Sequence, residues 1–144
     1  MTLLNVQVNR GLDGKFRKLE QMVEGFRDIY LEGMSSQLVF FSPVYTGTYV
    51  TGHHVQTSQV AATRSSEGKD KVEDPNPYIQ EGFEQLLREI QALPEEATRV
   101  VFSNDTFHSD VVEYELAHAP YNKTAREHKR IAEDAEAKAK ARNR

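Results

Sequence analysis

The side chains that could do chemistry in this sequence are five histidines, at positions 53, 54, 108, 118 and 128, and a few acidic neighbours. His53 and His54 are adjacent, so on a strand their rings point to opposite faces and cannot chelate one ion together. His108 and His118 flank Glu113 and Glu115, but no HExxH helix or other compact ligand spacing is present. Nucleophilic chemistry is no better supported. Ser35 and Ser36 fall inside a helical pattern, and no Gly-x-Ser-x-Gly elbow exists. Gly11-x-x-Gly14 is too short for a phosphate loop and precedes no Lys-Ser/Thr. Glu113 and Glu115 would share a strand face, which on an acidic surface reads as a solvated pair. The chain has no cysteine, so it can form neither a disulfide framework nor a thiolate site. The histidines are read as surface or interface residues that a His53→Ala change would leave silent. The chain is read as non-catalytic, with no cofactor and no metal.

The elements that would carry these residues follow from apolar spacing. Residues 1–13 form an arm in which Leu4, Val6 and Val8 alternate as in a small edge strand. Asp13 is a fair N-cap. From there Phe16, Leu19, Met22, Val23, Phe26, Ile29, Tyr30, Met34, Leu38 and Phe41 recur at helical spacing. The spacing predicts one long helix over 15–41, about seven turns, with Arg27, Asp28 and Glu32 on its polar face. So long a stripe should lie across a sheet or a subunit boundary. Pro43 ends it, because proline cannot continue the ladder and disfavours helical backbone at Ser42. Gly47 then permits a tight bend, and the Thr-, Val- and Tyr-rich run over 48–60 predicts a strand. Residues 63–77 hold little that could pack and predict an exposed loop that becomes ordered only on assembly. A shorter amphipathic helix over 78–93 stops at Pro94, and 98–103 predicts a second strand. Residues 107–116 fit neither period cleanly. Residues 123–144 are Ala- and charge-rich and predict a solvated helix that frays towards its end.

The corner Ser42-Pro43-Val44-Tyr45-Thr46-Gly47-Thr48-Tyr49, placed after a long helix, resembles the opening of a family of bacteriophage proteins: the tail-completion or neck proteins, lambda Z type included. The family corner reads roughly (Ala/Ser)-Pro-x-x-Thr-Gly-x-Leu, and Tyr49 here stands where Leu is usual. Further on, the strand ending in Asn104, the pair Glu113-Tyr114 and Ala119-Pro120 are similar to later family elements, while Glu115 replaces the usual Gly. The resemblance spans residues 15–135. It marks Pro43, Thr46 and Gly47 as a structural corner, and Glu113 as a structural residue near a subunit contact. Phe40 and Tyr45, off the apolar stripe, are interface candidates because aromatics are enriched there; Tyr114 joins them as part of the family motif.

Charge is distributed unevenly. Residues 1–120 carry 10 basic and 18 acidic side chains, and residues 121–144 carry 8 basic and 4 acidic. An acidic body is a poor dedicated nucleic-acid binder. The length, 144 residues, suits one domain. No run approaches the ~20 apolar residues of a membrane span, and the N-terminus lacks a signal-peptide pattern, so a soluble protein made in the cytoplasm is expected. The fold expected is α+β: a long N-terminal helix on a small, mostly antiparallel sheet, an inserted second helix and a C-terminal helical extension. The resemblance implies a virion structural protein, assembled in the host cytoplasm, that forms a ring of six or twelve copies at the head–tail junction. Its partners would be the connector on the portal side and the tail terminator or tail tube, with no membrane contact and at most incidental DNA contact in the lumen. A second reading from another class is a small intracellular regulatory or nucleic-acid-binding module that uses the basic C-terminal helix.

Overall fold

The computed structural model describes residues 3–7, 25–57, 62–63, 71–97, 99–106, 109, 112–113 and 118–142. The elements in order are β1 (Leu3–Gln7), α1 (Phe26–Phe41), a 3-10 turn (Val50–Gly52), β2 (His53–Gln56), α2 (Asn76–Gln91), β3 (Arg99–Asn104), α3 (Pro120–Arg126) and α4 (His128–Arg142). The fold is α+β. The three strands form an antiparallel sheet of order β1-β3-β2. Phe102 of the central strand pairs with Leu4 on one side and Val55 on the other, and both of these pack with it on the core.

Helix α1 is the axis of the molecule. Its buried residues include Phe26, Ile29, Tyr30, Leu31, Met34, Leu38 and Val39, and it packs against α2, α3 and α4. Burial so far around the helix departs from the single apolar stripe expected from the sequence. Arg27, expected in solvent, is buried. Its Nη1 donates to the carbonyls of Pro94 (2.7 Å), Glu95 (3.2 Å) and Ala97 (2.8 Å), and its Nε donates to Asp28 (2.9 Å). Nη1 carries two N–H groups, so the three carbonyls are met with one of these hydrogens shared, and the ring of carbonyl oxygens together with Asp28 is why a charge is tolerated there.

One continuous helix over 15–41 does not form. Gly25 stands at φ +86° as the N-cap of α1, and a left-handed residue cannot sit inside a right-handed helix. Residues 15–24 lie outside the described residues. Over residues 48–57 the expected strand is only β2, because Val50–Gly52 winds into a 3-10 turn whose Thr51 hydroxyl donates to the Gly47 carbonyl at 2.7 Å; residues 58–60 lie outside the described residues. Nor is the C-terminal helix a solvated one. Ile131, Ala132, Ala135 and Ala139 of α4 are buried, and Gly33 of α1 lies so close to Ile131 that a Cβ there would fall 2.6 Å from its Cγ2. Small side chains, Gly33 and the alanines, let the two helices approach closely around Ile131. Residues 71–75 lead into α2 exposed except for half-buried Val72, whose amide donates to the Tyr45 carbonyl at 2.7 Å; residues 64–70 of the expected loop lie outside the described residues. No helix among the described residues is long and apolar enough to cross a membrane.

Gly25 and Gly47 separate two costs. Both have positive φ, at +86° and +83°, but a Cβ at Gly25 meets nothing within 4 Å while one at Gly47 overlaps the Tyr78 ring. Gly25→Ala should therefore cost about 1 kcal/mol of backbone strain. Gly47→Ala should add overpacking and lose about 2–3 kcal/mol. Urea denaturation of the two variants checks this, and equal losses would mean the Tyr78 contact is not tight.

Candidate functional site

Strand β2 places its two histidines in opposite surroundings, as its alternation requires. His53 faces the core and is 1% exposed. Its Nε2 lies 2.7 Å from Ser42 Oγ, and its Nδ1 lies 2.9 Å from the Tyr121 hydroxyl and 3.2 Å from Asn104 Nδ2. Ser42 follows α1 in extended backbone, Asn104 ends β3 directly opposite His53 in the register, and Tyr121 opens α3. Four parts of the fold therefore meet at one imidazole.

Hydrogen-bond accounting fixes the proton on this ring. The Ser42 hydroxyl lies 2.6 Å from the Leu38 carbonyl, which can only accept, so Ser42 donates there and must accept from His53 Nε2–H. The Asn104 carbonyl oxygen accepts from the Thr106 amide (3.0 Å) and hydroxyl (2.6 Å), and its Nδ2 donates to the Tyr49 carbonyl (2.9 Å). Nδ1 of His53 is therefore the acceptor, from Asn104 and Tyr121. Burial drives the His53 pKa down to about 3, with His54 adding to the effect, so the ring is neutral. Burial also raises the Tyr121 pKa well above its ordinary value, so its hydroxyl keeps the proton it donates.

The Ser42–His53 pair has the spacing of a nucleophile and its base but the opposite polarity. A general base must accept the serine proton; here the imidazole donates to the serine, and the serine proton is committed to Leu38. The arrangement activates no nucleophile. It joins the end of α1, the sheet and α3.

On the other face, His54 Nδ1 donates to Glu89 of α2 (3.0 and 3.3 Å to its two oxygens) and Nε2 donates to Asp105 (2.9 Å). Hydrogen bonds first to Asp105 and then to Glu89 raise its pKa to about 9, against the opposing pull of burial. His54 is thus an imidazolium clamped between two carboxylates. The carboxylates bind opposite edges of the ring and do not converge. Among the described residues, no group of three or more His, Asp or Glu side chains could hold a metal ion.

The other positions singled out in the sequence lie as follows. Pro43 ends α1, with Ser42 at ψ 131°. Thr46 Oγ1 donates to Thr48 Oγ1 (3.0 Å) and lies 3.3 Å from the Thr48 amide, which donates to it, and Gly47 turns the chain beneath Tyr78. Phe40 and Tyr45 are 76% and 62% exposed, the large hydrophobics left at the described surface. Glu113 must be corrected as an interface candidate. It is 2% exposed, and its Oε1 accepts the Tyr121 amide at 2.7 Å, a carboxylate stabilising the start of α3 from within. Tyr114, His108 and Glu115 lie outside the described residues. His53 was not legible as a core residue. The available signal was its i,i+2 spacing with Val55 on a strand.

The two histidines pull stability in opposite directions with pH. His54, raised from 6.5 to about 9, contributes in full below pH 6.5, and its contribution is lost as pH rises through 9. His53, lowered from 6.5 to about 3, remains neutral in the folded chain while the unfolded chain takes up a proton, so stability also falls from pH 6.5 towards 3. Stability should peak near pH 6.5. His54→Gln should flatten the alkaline limb, worth about 1–2 kcal/mol after solvent screening. His53→Leu should cost about 3 kcal/mol by stranding buried partners, contrary to the silent change expected from the sequence. Melting curves between pH 3 and 10 read both effects; an unchanged alkaline limb in His54→Gln would remove the clamp from the account.

Comparison with family models, with curated proteins and with solved structures finds no match to this chain.

Proposed function

We propose that this protein is a non-catalytic virion structural subunit of the tail-completion or neck type. It forms a ring at the head–tail junction and joins the capsid-side connector to the tail tube or tail terminator. The observation that carries this reading is the pair Phe40 and Tyr45, the two large hydrophobics exposed on the described surface: Tyr45 lies within the Pro43–Gly47 corner on which the resemblance rests, and Phe40 lies three residues before it. Exposed aromatics beside a rigid corner suit a permanent protein contact better than a solvated surface.

The nucleic-acid-binding alternative draws less support. A contiguous basic face is its requirement, and on α4 Arg130 pairs with Glu127 (2.7 Å) and Asp134 (3.2 Å) while Lys140 pairs with Glu136 (2.8 Å). These acidic residues interrupt the basic face.

In the virus that encodes it, loss of the protein should leave filled heads and finished tails unjoined. Wild-type protein should restore tailed particles, and a Phe40→Ser, Tyr45→Ser double variant should not, although both positions are exposed and the variant should keep its melting temperature. Averaged cryo-EM maps should place the protein at the neck. Tailed particles formed without it, or its presence in the head shell or a tail fibre, would overturn the reading.

A further inference from the structure

The two exposed aromatics lie on unlike edges of the molecule. Helix α4 packs on the side of α1 marked by Ile29, Gly33 and Gln37, which line a groove with Ile131 and Ala135. Arg27 reaches the segment after α2 from another side of α1. At about 100° per residue, Arg27 stands roughly 120–160° around the axis from Gly33 and Ile29. The region that follows α2 and the helix α4 therefore flank α1 on different sides.

Phe40 belongs to the α4 side, two helical turns beyond Gly33. Its ring stacks edge-on against Phe41 at 5.3 Å, and Lys123 of α3 lies 5.7 Å from the centre of the Phe41 ring. Over residues 118–142, which form α3 and α4, the chain carries seven basic and four acidic side chains. Tyr45 belongs to the α2 side. Its carbonyl holds the Val72 amide at 2.7 Å, just ahead of Glu73 and α2, and Gly47 next to it lies under Tyr78 of α2. Over residues 71–97 the chain carries two basic and seven acidic side chains. Each edge thus offers one exposed aromatic, and the edges have opposite charge.

The geometry points to a second copy of this chain as the partner of both edges: Phe40, Lys123 and Arg126 of one subunit dock against Tyr45, Glu73 and Glu81 of the next. Lys123, Arg126, Glu73 and Glu81 are all exposed. The contact is head-to-tail, because the two surfaces differ. A two-fold dimer formed across either edge alone would set that edge against its own like charge, whereas a head-to-tail contact sets opposite charges together at every joint and propagates until it closes a ring. This inference rests on the ring-forming reading and adds which faces meet.

Two variants test it: Lys123→Glu with Arg126→Glu, and Glu73→Lys with Glu81→Lys. All four substitutions are on exposed side chains, and unchanged melting curves establish that each variant is folded. Sedimentation velocity on the purified chain should show wild-type self-association that weakens with salt. Either reversal should weaken it about 100-fold. An equimolar mixture of the two variants should restore association as an alternating assembly, since one then has two acidic edges and the other two basic edges. Wild-type association indifferent to both reversals, a mixture that stays dissociated, or a closed two-fold dimer would overturn the inference. The neck reading fails separately: head-to-tail assembly of a protein absent from tailed particles would sink that reading and leave these faces in place. A protein found at the neck whose association ignores both reversals would do the opposite.

Discussion

A neutral imidazole sealed from water constrains much of this structure. Burial holds His53 neutral down to about pH 3, since removing an ionised group from water costs more than a single hydrogen bond returns. A neutral ring has one donor and one acceptor nitrogen, and each must find a complement of the right sense. Ser42, Asn104 and Tyr121 supply them, and each is held by its own element. Ser42 can reach the ring because Pro43 forces the chain out of the helix at that residue. Asn104 can because the β2–β3 register sets it opposite His53. Tyr121 can because the Glu113 carboxylate holds the first turn of α3. Losing one of these would leave others buried without partners, so the network is cooperative in the sense that its members share one ring.

Much of the fold was legible in the sequence where local rules and tertiary context agree. The stop at Pro43, the helix ahead of Pro94, the strand ending at Asn104 and the alternating arm at Leu4 all correspond to observed elements. The sequence misled where tertiary context decides. Arg27 has the composition of a solvent residue, and only the carbonyls of Pro94, Glu95 and Ala97, some 70 positions away in sequence, make it a buried one. Alanines 132, 135 and 139 do not look like a core stripe because each buries little area. They allow close approach, and in the α1–α4 seam close approach is what matters. For the histidines, the sequence showed that the pair must diverge but not which way. The direction depends on register, and register is set by β3.

The divergence has an electrostatic consequence. His53 and His54 are consecutive, yet one is kept neutral and the other charged. The charged ring lowers the pKa of its neighbour further, so the clamp on one face of β2 reinforces the neutrality needed on the other. The clamp also ties α2 to the end of β3 through Glu89 and Asp105, while the buried network ties α1 to α3. The four-residue strand β2 therefore links helices on both of its faces with little ladder of its own, which is how so short an element can be a structural centre.

The corner couples the buried network to the surface. Ser42, a member of the buried network, lies two residues after Phe40, and Gly47, fixed beneath Tyr78, lies two residues after Tyr45. Each exposed aromatic thus stands on backbone anchored from within. Ordering a contact surface at the moment of binding costs free energy that must be deducted from the contact. Anchoring Phe40 and Tyr45 through the interior reduces that deduction, at least for the backbone. The buried histidine network and the exposed aromatic pair thus meet at one short segment, where Pro43 releases Ser42 from the helix and Gly47 turns the chain beneath Tyr78.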